Sequence, residues 1–233
     1  MHISQEDRLV NNLILHSNNI LSIGLLDGKM GIALVLFHYA RVYKSRECRL
    51  VAEHLLDQVM SYLTSRIAID FANGLTGIGW GIEYLIQNGY MKGDSADICE
   101  VIDRKLMEIS ISRLTDLTLD SGLEGYLHYL NAHIQGTRNS SIRPDFLHEV
   151  REKIKQHPKR QTDFSISLLS LINNFNSYIN TPMRYDFCLS DFYIGSRNIP
   201  PKKNFGLRKG ICGYIETMLS RQNETAFCNR RTR

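Results

Sequence analysis

Two glycines three residues apart, then an isoleucine or tyrosine and an apolar run, occur four times in this chain. They open at Gly28-Lys29-Met30-Gly31-Ile32, Gly74-Leu75-Thr76-Gly77-Ile78, Gly122-Leu123-Glu124-Gly125-Tyr126 and Gly210-Ile211-Cys212-Gly213-Tyr214. The first glycines stand 46, 48 and 88 residues apart, and 88 is twice 44. A fixed period of this length marks a repeat architecture, in which each unit buries its apolar face only against its neighbours. A degenerate unit near residue 166, with the apolar stretch Phe164 to Phe175 but no glycine pair, completes an even spacing. The chain therefore reads as five units of about 46 residues.

Each unit has the pattern of two helices. Behind the glycines run Ile32 to Tyr43, Trp80 to Ile86 and Leu127 to Ile134, all apolar-rich and free of proline. Between them lie amphipathic segments: Leu50, Val51, Leu55, Val59 and Tyr62 recur at helical steps, as do Ile98, Val101, Ile102, Leu106 and Ile109. A third such segment, Asp145 to His157, is stopped by Pro158. No stretch alternates with period two between turn residues, so the expected class is all-α. A missing Cβ lets a helix start approach a neighbouring backbone and permits unusual dihedrals in the entering loop. Asp27, Asn73 and Ser121 stand just before a first glycine, where a side-chain oxygen can cap the helix. Lys209, in the same place, has no acceptor. Two readings stay open: the glycines serve packing alone, or their loops converge to line a shared site.

The chain has 233 residues, 43% of them apolar and 22% charged, enough for one domain spanning 1–233. Its basic tail, 221–233, is expected to fray. Five cysteines (Cys48, Cys99, Cys188, Cys212 and Cys228) include no CxxC pair, which argues against a zinc knuckle or a disulfide framework and for a reducing cytoplasm. A net charge of +4 is too mild for a committed nucleic-acid binder. The longest uninterrupted apolar run, Ile32 to Phe37, is too short for membrane insertion. The opening residues Met1 to Arg8 are polar, so no secretory signal is expected.

The units Gly24 to Leu34 and Phe71 to Gly81 resemble the repeat of the lanthionine synthetase C-like proteins, and Gly206 to Gly213 is similar to the family's closing repeat. The resemblance implies an α/α toroid, here of about five two-helix repeats, with the glycine-led helices as an inner ring. The family's cyclases add a cysteine thiol of a precursor peptide to a dehydrated serine or threonine. A zinc ion held by two cysteines and a histidine makes the thiolate available. Those ligands sit in a Trp-Cys-Tyr-Gly and a Cys-His-Gly stretch just before a repeat's first glycine. The equivalent stretches here are Leu26-Asp27-Gly28, Ala72-Asn73-Gly74, Asp120-Ser121-Gly122 and Arg208-Lys209-Gly210. No zinc ligand carries over, so no metal and no cofactor are expected. Full members have about seven repeats, and this chain has room for five.

A rebuilt site is conceivable from other residues. Cys212 and Glu124 share one repeat position, and His128 and Glu216 share another one turn further on. The four converge if their units are adjacent; the plainer reading is a buried polar cluster. His38, His54 and Trp80 lie on apolar helices and read as core or boundary residues. Cys48, Cys99 and Cys188 have no useful partner nearby in sequence. Arg151 to Arg160 reads as a solvated basic face, or as a dock for an acidic leader peptide. The connection Thr181 to Phe205, with Tyr185, Phe187, Phe192 and Tyr193, can lid one face. The candidate face is thus Asp27, Asn73, Ser121, Glu124, His128, Lys209 and Cys212, with no catalytic residue assigned. The expected function is a zinc-free, non-cyclising family member that binds precursor peptide or a dehydratase-type partner. An active cyclase with a rebuilt or partner-supplied zinc site is one alternative. The other is a toroid enzyme acting on carbohydrate or another small molecule through acids such as Asp27, Asp120 and Glu124.

Overall fold

The computed structural model describes residues 5–137, 140–156, 166–177, 185–193, 200–201 and 203–231. Among these residues all regular structure is helical. The α-helices are α1 (Gln5–Ser17), α2 (Lys29–Tyr43), α3 (Arg46–Tyr62), α4 (Leu75–Gln87), α5 (Ser95–Leu106), α6 (Leu123–Gly136), α7 (Pro144–Gln156), α8 (Ile166–Ser177) and α9 (Ile211–Arg231). Short 3-10 turns span Ile111–Arg113 and Leu189–Phe192. The chain forms two compact units, Met1–Tyr62 with Cys188–Arg233, and Leu63–Phe187. Helix α9 extends through most of the segment in which fraying was expected.

Burial separates the helices into two kinds. In α4 every residue from Leu75 to Leu85 is buried, and α6 buries all from Gly125 to Ile134. Helices α3 and α5 bury single stripes: Cys48, Ala52, Leu55, Leu56 and Val59 in one, Cys99, Ile102, Asp103 and Leu106 in the other. A helix buried on every side is interior, and a striped one lies between core and solvent. In the first unit α2 packs on α3 and α9; in the second, α4 packs on α5 and α6. The glycine-led helices are therefore the inner ones of each unit. Helix α8 packs on α6 without a glycine pair, through buried Leu168, Leu171, Ile172 and Phe175. It is the degenerate repeat that the spacing demands. Helix α1 was not anticipated; it seats Leu9, Val10 and Leu13 against α2, α3 and α9.

The backbone explains the glycine pairs. The amides of Lys29, Met30 and Gly31 donate to the carbonyls of Ser22, Ile23 and Gly24. Leu75 and Thr76 donate to Ala68 and Ile69, Leu123 and Glu124 to Asp116 and Leu117, and Ile211 to Asn204. In each bond the acceptor lies seven residues upstream, so the loop leading into a helix folds back along that helix's first turn. The first-turn amides, which lack intrahelical partners, are thereby satisfied by main chain. A Cβ on Gly28 would strike the backbone of Gly24 and Ser22; one on Gly74 would strike Ala68 and Asp70; one on Gly122, Asp116. At the second glycine of a pair the obstacle is a carbonyl six residues back: Leu25 for Gly31, Leu119 for Gly125 and Leu207 for Gly213.

Two expectations about these loops are corrected. Gly28, Gly74 and Gly122 have φ of −139°, −111° and −111°, extended backbone open to any residue, so the glycines answer to space and not to dihedrals. They are also the N-caps, and none has a side-chain cap. Asp27, Asn73 and Ser121 sit one residue too early, and loop carbonyls already hold the amides. Ser121 instead donates its hydroxyl to Asp116 Oδ2 (2.7 Å). A side-chain cap does occur on α5, where Asp94 Oδ1 accepts from the Ala96 amide at 2.9 Å.

Neighbouring loops are stitched by one recurring bond. In the second unit the Phe71 and Ala72 amides donate to the Asp120 carbonyl at 2.8 and 3.1 Å. In the first, the Leu207 amide donates to the Leu26 carbonyl at 2.6 Å. Both bonds join the third residue before one first glycine to the second residue before another. The side chains of Phe71 and Leu207 then lie against Gly125 and Gly31. The last repeat thus docks on the first by the contact that docks the second on the third.

Candidate functional site

Asp27, Asn73, Ser121 and Lys209 are all exposed at one equivalent place, the loop residue ahead of a glycine-led helix. Glu124 is half-buried in the first turn of α6. Cys212 on α9 is fully buried, and burial pushes its thiol well up. Glu216, one turn further, pairs its Oε1 with His38 Nδ1 at 2.7 Å. His128 on α6 is bonded to Tyr185. Among the described residues Cys212, Glu124, His128 and Glu216 form no group of metal-ligating atoms. Glu216 and His128 are instead committed to partners inside their own units. His54 is exposed and bonded to Gln58, whereas Trp80 is core with no accessible surface.

Tyr185 seals the inner side of the second unit. Trp80 Nε1 donates to Tyr185 Oη at 2.8 Å, and Tyr185 Oη lies 2.7 Å from His128 Nδ1. An indole N–H only donates, so the tyrosine accepts from Trp80 and gives its own proton to an unprotonated Nδ1. Burial fits that assignment by lowering the His128 pKa to about 3. Gln135 clamps the Tyr185 main chain, and Phe187 packs on Trp80 and Tyr84 with ring centroids 5.5 and 5.6 Å apart. Part of the connection expected to form a lid is therefore a fixture of the core. Residues 181–184, 194–199 and 202 of that connection lie outside the described residues, as do 157–160 of the basic stretch. Within α7 the stretch is already engaged, Lys153 with the Ser112 carbonyl of the preceding 3-10 turn (3.0 Å) and Lys155 with Glu152 one turn back (2.7 Å).

The strongest polar cluster was not anticipated from sequence. Glu83 of α4, Cys99 and Asp103 of α5 and His133 of α6 meet with no solvent exposure at Glu83, Asp103 or His133 side chains. His133 Nδ1 lies 2.6 Å from Glu83 Oε1, and its Nε2 lies 3.0 Å from Asp103 Oδ2. Tyr129 and Ser141 donate to Asp103 at 2.5 and 2.7 Å, and Gln87 donates to Glu83 at 2.7 Å. Burial opposes a charge on His133, but its bonds to Asp103, Cys99 and Glu83 outweigh burial and raise the pKa to about 11. Tyr129 stacks on the ring at 5.3 Å, a further support for an imidazolium. Cys99, dismissed from sequence as lacking partners, has them from two other helices. The one local signal was Glu83, a carboxylate inside the apolar run of α4.

The sequence model of the lanthionine synthetase C-like proteins matches residues 19–179, more than half of the chain. The chain belongs to this family. The match takes in the first three glycine pairs and ends before the fourth. No curated protein matches the chain.

The residues present do not fit the cyclase zinc of this family. Its ligand places, the two residues before a first glycine, fall on Leu26-Asp27, Ala72-Asn73, Asp120-Ser121 and Arg208-Lys209, which offer carboxylates, an amide and a hydroxyl but neither thiol nor imidazole. Ser121 is already bonded to Asp116, and an ammonium has no lone pair to offer. No catalytic step through zinc is supported at these loops.

Proposed function

We propose that this lanthionine synthetase C-like protein binds a precursor peptide, or the dehydratase that modifies it, in the cytoplasm, and does not itself close thioether rings. The observation that carries this reading is the contrast within the glycine loops. Their backbone bonds are intact in both units, while the places that hold zinc in the cyclases carry Leu26-Asp27, Ala72-Asn73, Asp120-Ser121 and Arg208-Lys209, with no cysteine or histidine among them. Activation of a peptide thiol near neutral pH needs a metal or a base beside it. Exposed polar groups on loops stitched in pairs, Asp27 with Lys209 in one unit and Asn73 with Ser121 in the other, are suited to hydrogen-bonding an extended polar peptide. A cytoplasmic setting accords with a membrane finding: among the described residues no helix is long and apolar enough to cross a membrane. The test uses a synthetic peptide with one dehydroalanine and one cysteine. Cyclisation leaves its mass unchanged but removes a thiol that iodoacetamide would alkylate. The expected result is saturable binding with full alkylation, and weaker binding by Asn73→Ala and Ser121→Ala at unchanged melting temperature. Loss of the alkylatable thiol would show a cyclase, and absence of binding would remove the peptide reading.

A further inference from the structure

We propose that Glu83, Cys99 and His133 form a buried structural zinc site that clasps α4, α5 and α6, with Asp103 orienting the histidine. The three residues offer a carboxylate oxygen, a thiol sulfur and an imidazole nitrogen that all lie within 4.8 Å of one another. That donor set suits zinc, which takes nitrogen and sulfur ligands readily and oxygen as well. Each ligand comes from a different helix, two of them inner and one from the flanking layer. Glu83 and His133 lie toward the C-terminal ends of α4 and α6, away from the glycine loops that open those helices, so the site is separate from the place where the family's cyclases hold their metal.

The surroundings have the organisation that a metal-bound histidine requires. A ligating imidazole hands its other N–H to a carboxylate, which fixes the ring's tautomer and angle. Asp103 Oδ2 lies 3.0 Å from His133 Nε2 and is itself held by Ser141, while Asp103 Oδ1 is held by Tyr129. The nitrogen left to the metal is Nδ1, on the side of Glu83. Gln87 steadies the other oxygen of Glu83, and Gly136 leaves that carboxylate its space. Without metal the gap closes on a proton between Nδ1 and Glu83. Among the described residues no lysine or arginine pairs with either carboxylate, so two acids face a single imidazolium.

Charge bookkeeping makes the exchange feasible in a buried place. Zinc binding expels one proton from His133 Nδ1 and one from Cys99 Sγ as two positive charges arrive. The net charge of the cluster is unchanged, and no oxidant or reductant is needed. A site with no solvent exposure gives a substrate no route to the metal. Zinc there would be loaded as the helices assemble, and its binding energy becomes folding energy.

The experiment refolds the full chain with zinc or cobalt, removes free metal by gel filtration, and measures metal per chain, visible absorption and melting temperature. The expected result is about one metal per chain, a cobalt spectrum with thiolate-to-metal absorption, and a melting temperature several degrees lower after refolding with a chelator. Cys99→Ser removes the thiolate band, while Cys48→Ser, a buried thiol in the other unit, keeps it. Asp103→Asn keeps the band and weakens metal binding roughly 10–100-fold, as loss of an outer-shell carboxylate does; this variant decides the matter if Cys99→Ser fails to fold. Wild-type protein that refolds with less than about a tenth of a metal per chain, and melts alike with and without chelator, overturns the proposal and leaves a proton between His133 and Glu83. A thiolate band that survives in Cys99→Ser overturns it equally.

Discussion

Tyr185 holds two buried groups at once, and its hydroxyl is the one atom that serves both. Tyr185→Phe removes the hydrogen bonds from Trp80 Nε1 to the hydroxyl and from the hydroxyl to His128 Nδ1, with no change in ring packing. Removing one partner of a buried hydrogen bond costs about 1–3 kcal/mol, so the variant should lose at least that much in urea unfolding. Trp80 is the only tryptophan, and its fluorescence reports the transition directly. The same residues set an acid limit. His128 has a folded pKa of about 3 against 6.5 unfolded, so the unfolded chain takes up a proton first as pH falls. The stability linked to His128 is therefore complete above pH 6.5 and is lost progressively as pH drops toward 3. His128→Gln, which does not titrate, should flatten that slope in denaturant midpoints measured across the window. At this scale the sequence was least legible. His128 was visible as a histidine on an apolar helix, but its partner Tyr185 and the partners of Glu83 lie on distant segments, and no local spacing brings them together.

Helices were far more legible, because an amphipathic stripe or an apolar run is written in consecutive side chains. Helices α3 and α5 and the buried runs of α2, α4 and α6 fall where the periodicity places them, although Leu50 and Tyr62 of the expected α3 stripe are exposed and Cys48, Ala52 and Leu56 take the buried face beside Leu55 and Val59. Helix α1 escaped because it lies outside the glycine repeat: Leu9, Val10, Leu13 and Ile14 keep helical spacing, but no glycine pair marks it. Helix starts were misjudged for a definite reason. Side-chain capping is the usual solution, but here the leading loop supplies main-chain carbonyls seven residues upstream, and main chain leaves no residue-type signature except glycine. The difference is measurable. Asp94→Ala, which removes the side-chain cap of α5, should cost about 1 kcal/mol. Asp27→Ala, one residue outside the glycine cap of α2, should stay within roughly 0.5 kcal/mol of the parent, as exposed substitutions do. Equal losses in the two variants would show that Asp27 caps after all.

Across the molecule, the period of the glycine pairs was the most informative feature and its cause the least visible. It announced a helical repeat, because self-similarity at fixed spacing survives without knowledge of any contact. It left unsaid which repeats touch, since the stitch from Leu207 to Leu26 joins opposite ends of the chain while that from Phe71 to Asp120 joins neighbours. Both obey one rule: a loop lies across the first turn of its own helix and bonds to the loop of the next. The account rests on that close backbone approach, and the sign of one substitution tests it. Alanine is favoured over glycine within a helix by about 1 kcal/mol, so Gly31→Ala in the first unit and Gly125→Ala in the second would stabilise the protein if the glycines were incidental. With carbonyls of Leu25 and Leu119 in the way, both should instead lose about 1–3 kcal/mol in urea unfolding, the range for overpacking. Two variants that unfold at or above the urea concentration of the parent would contradict the account.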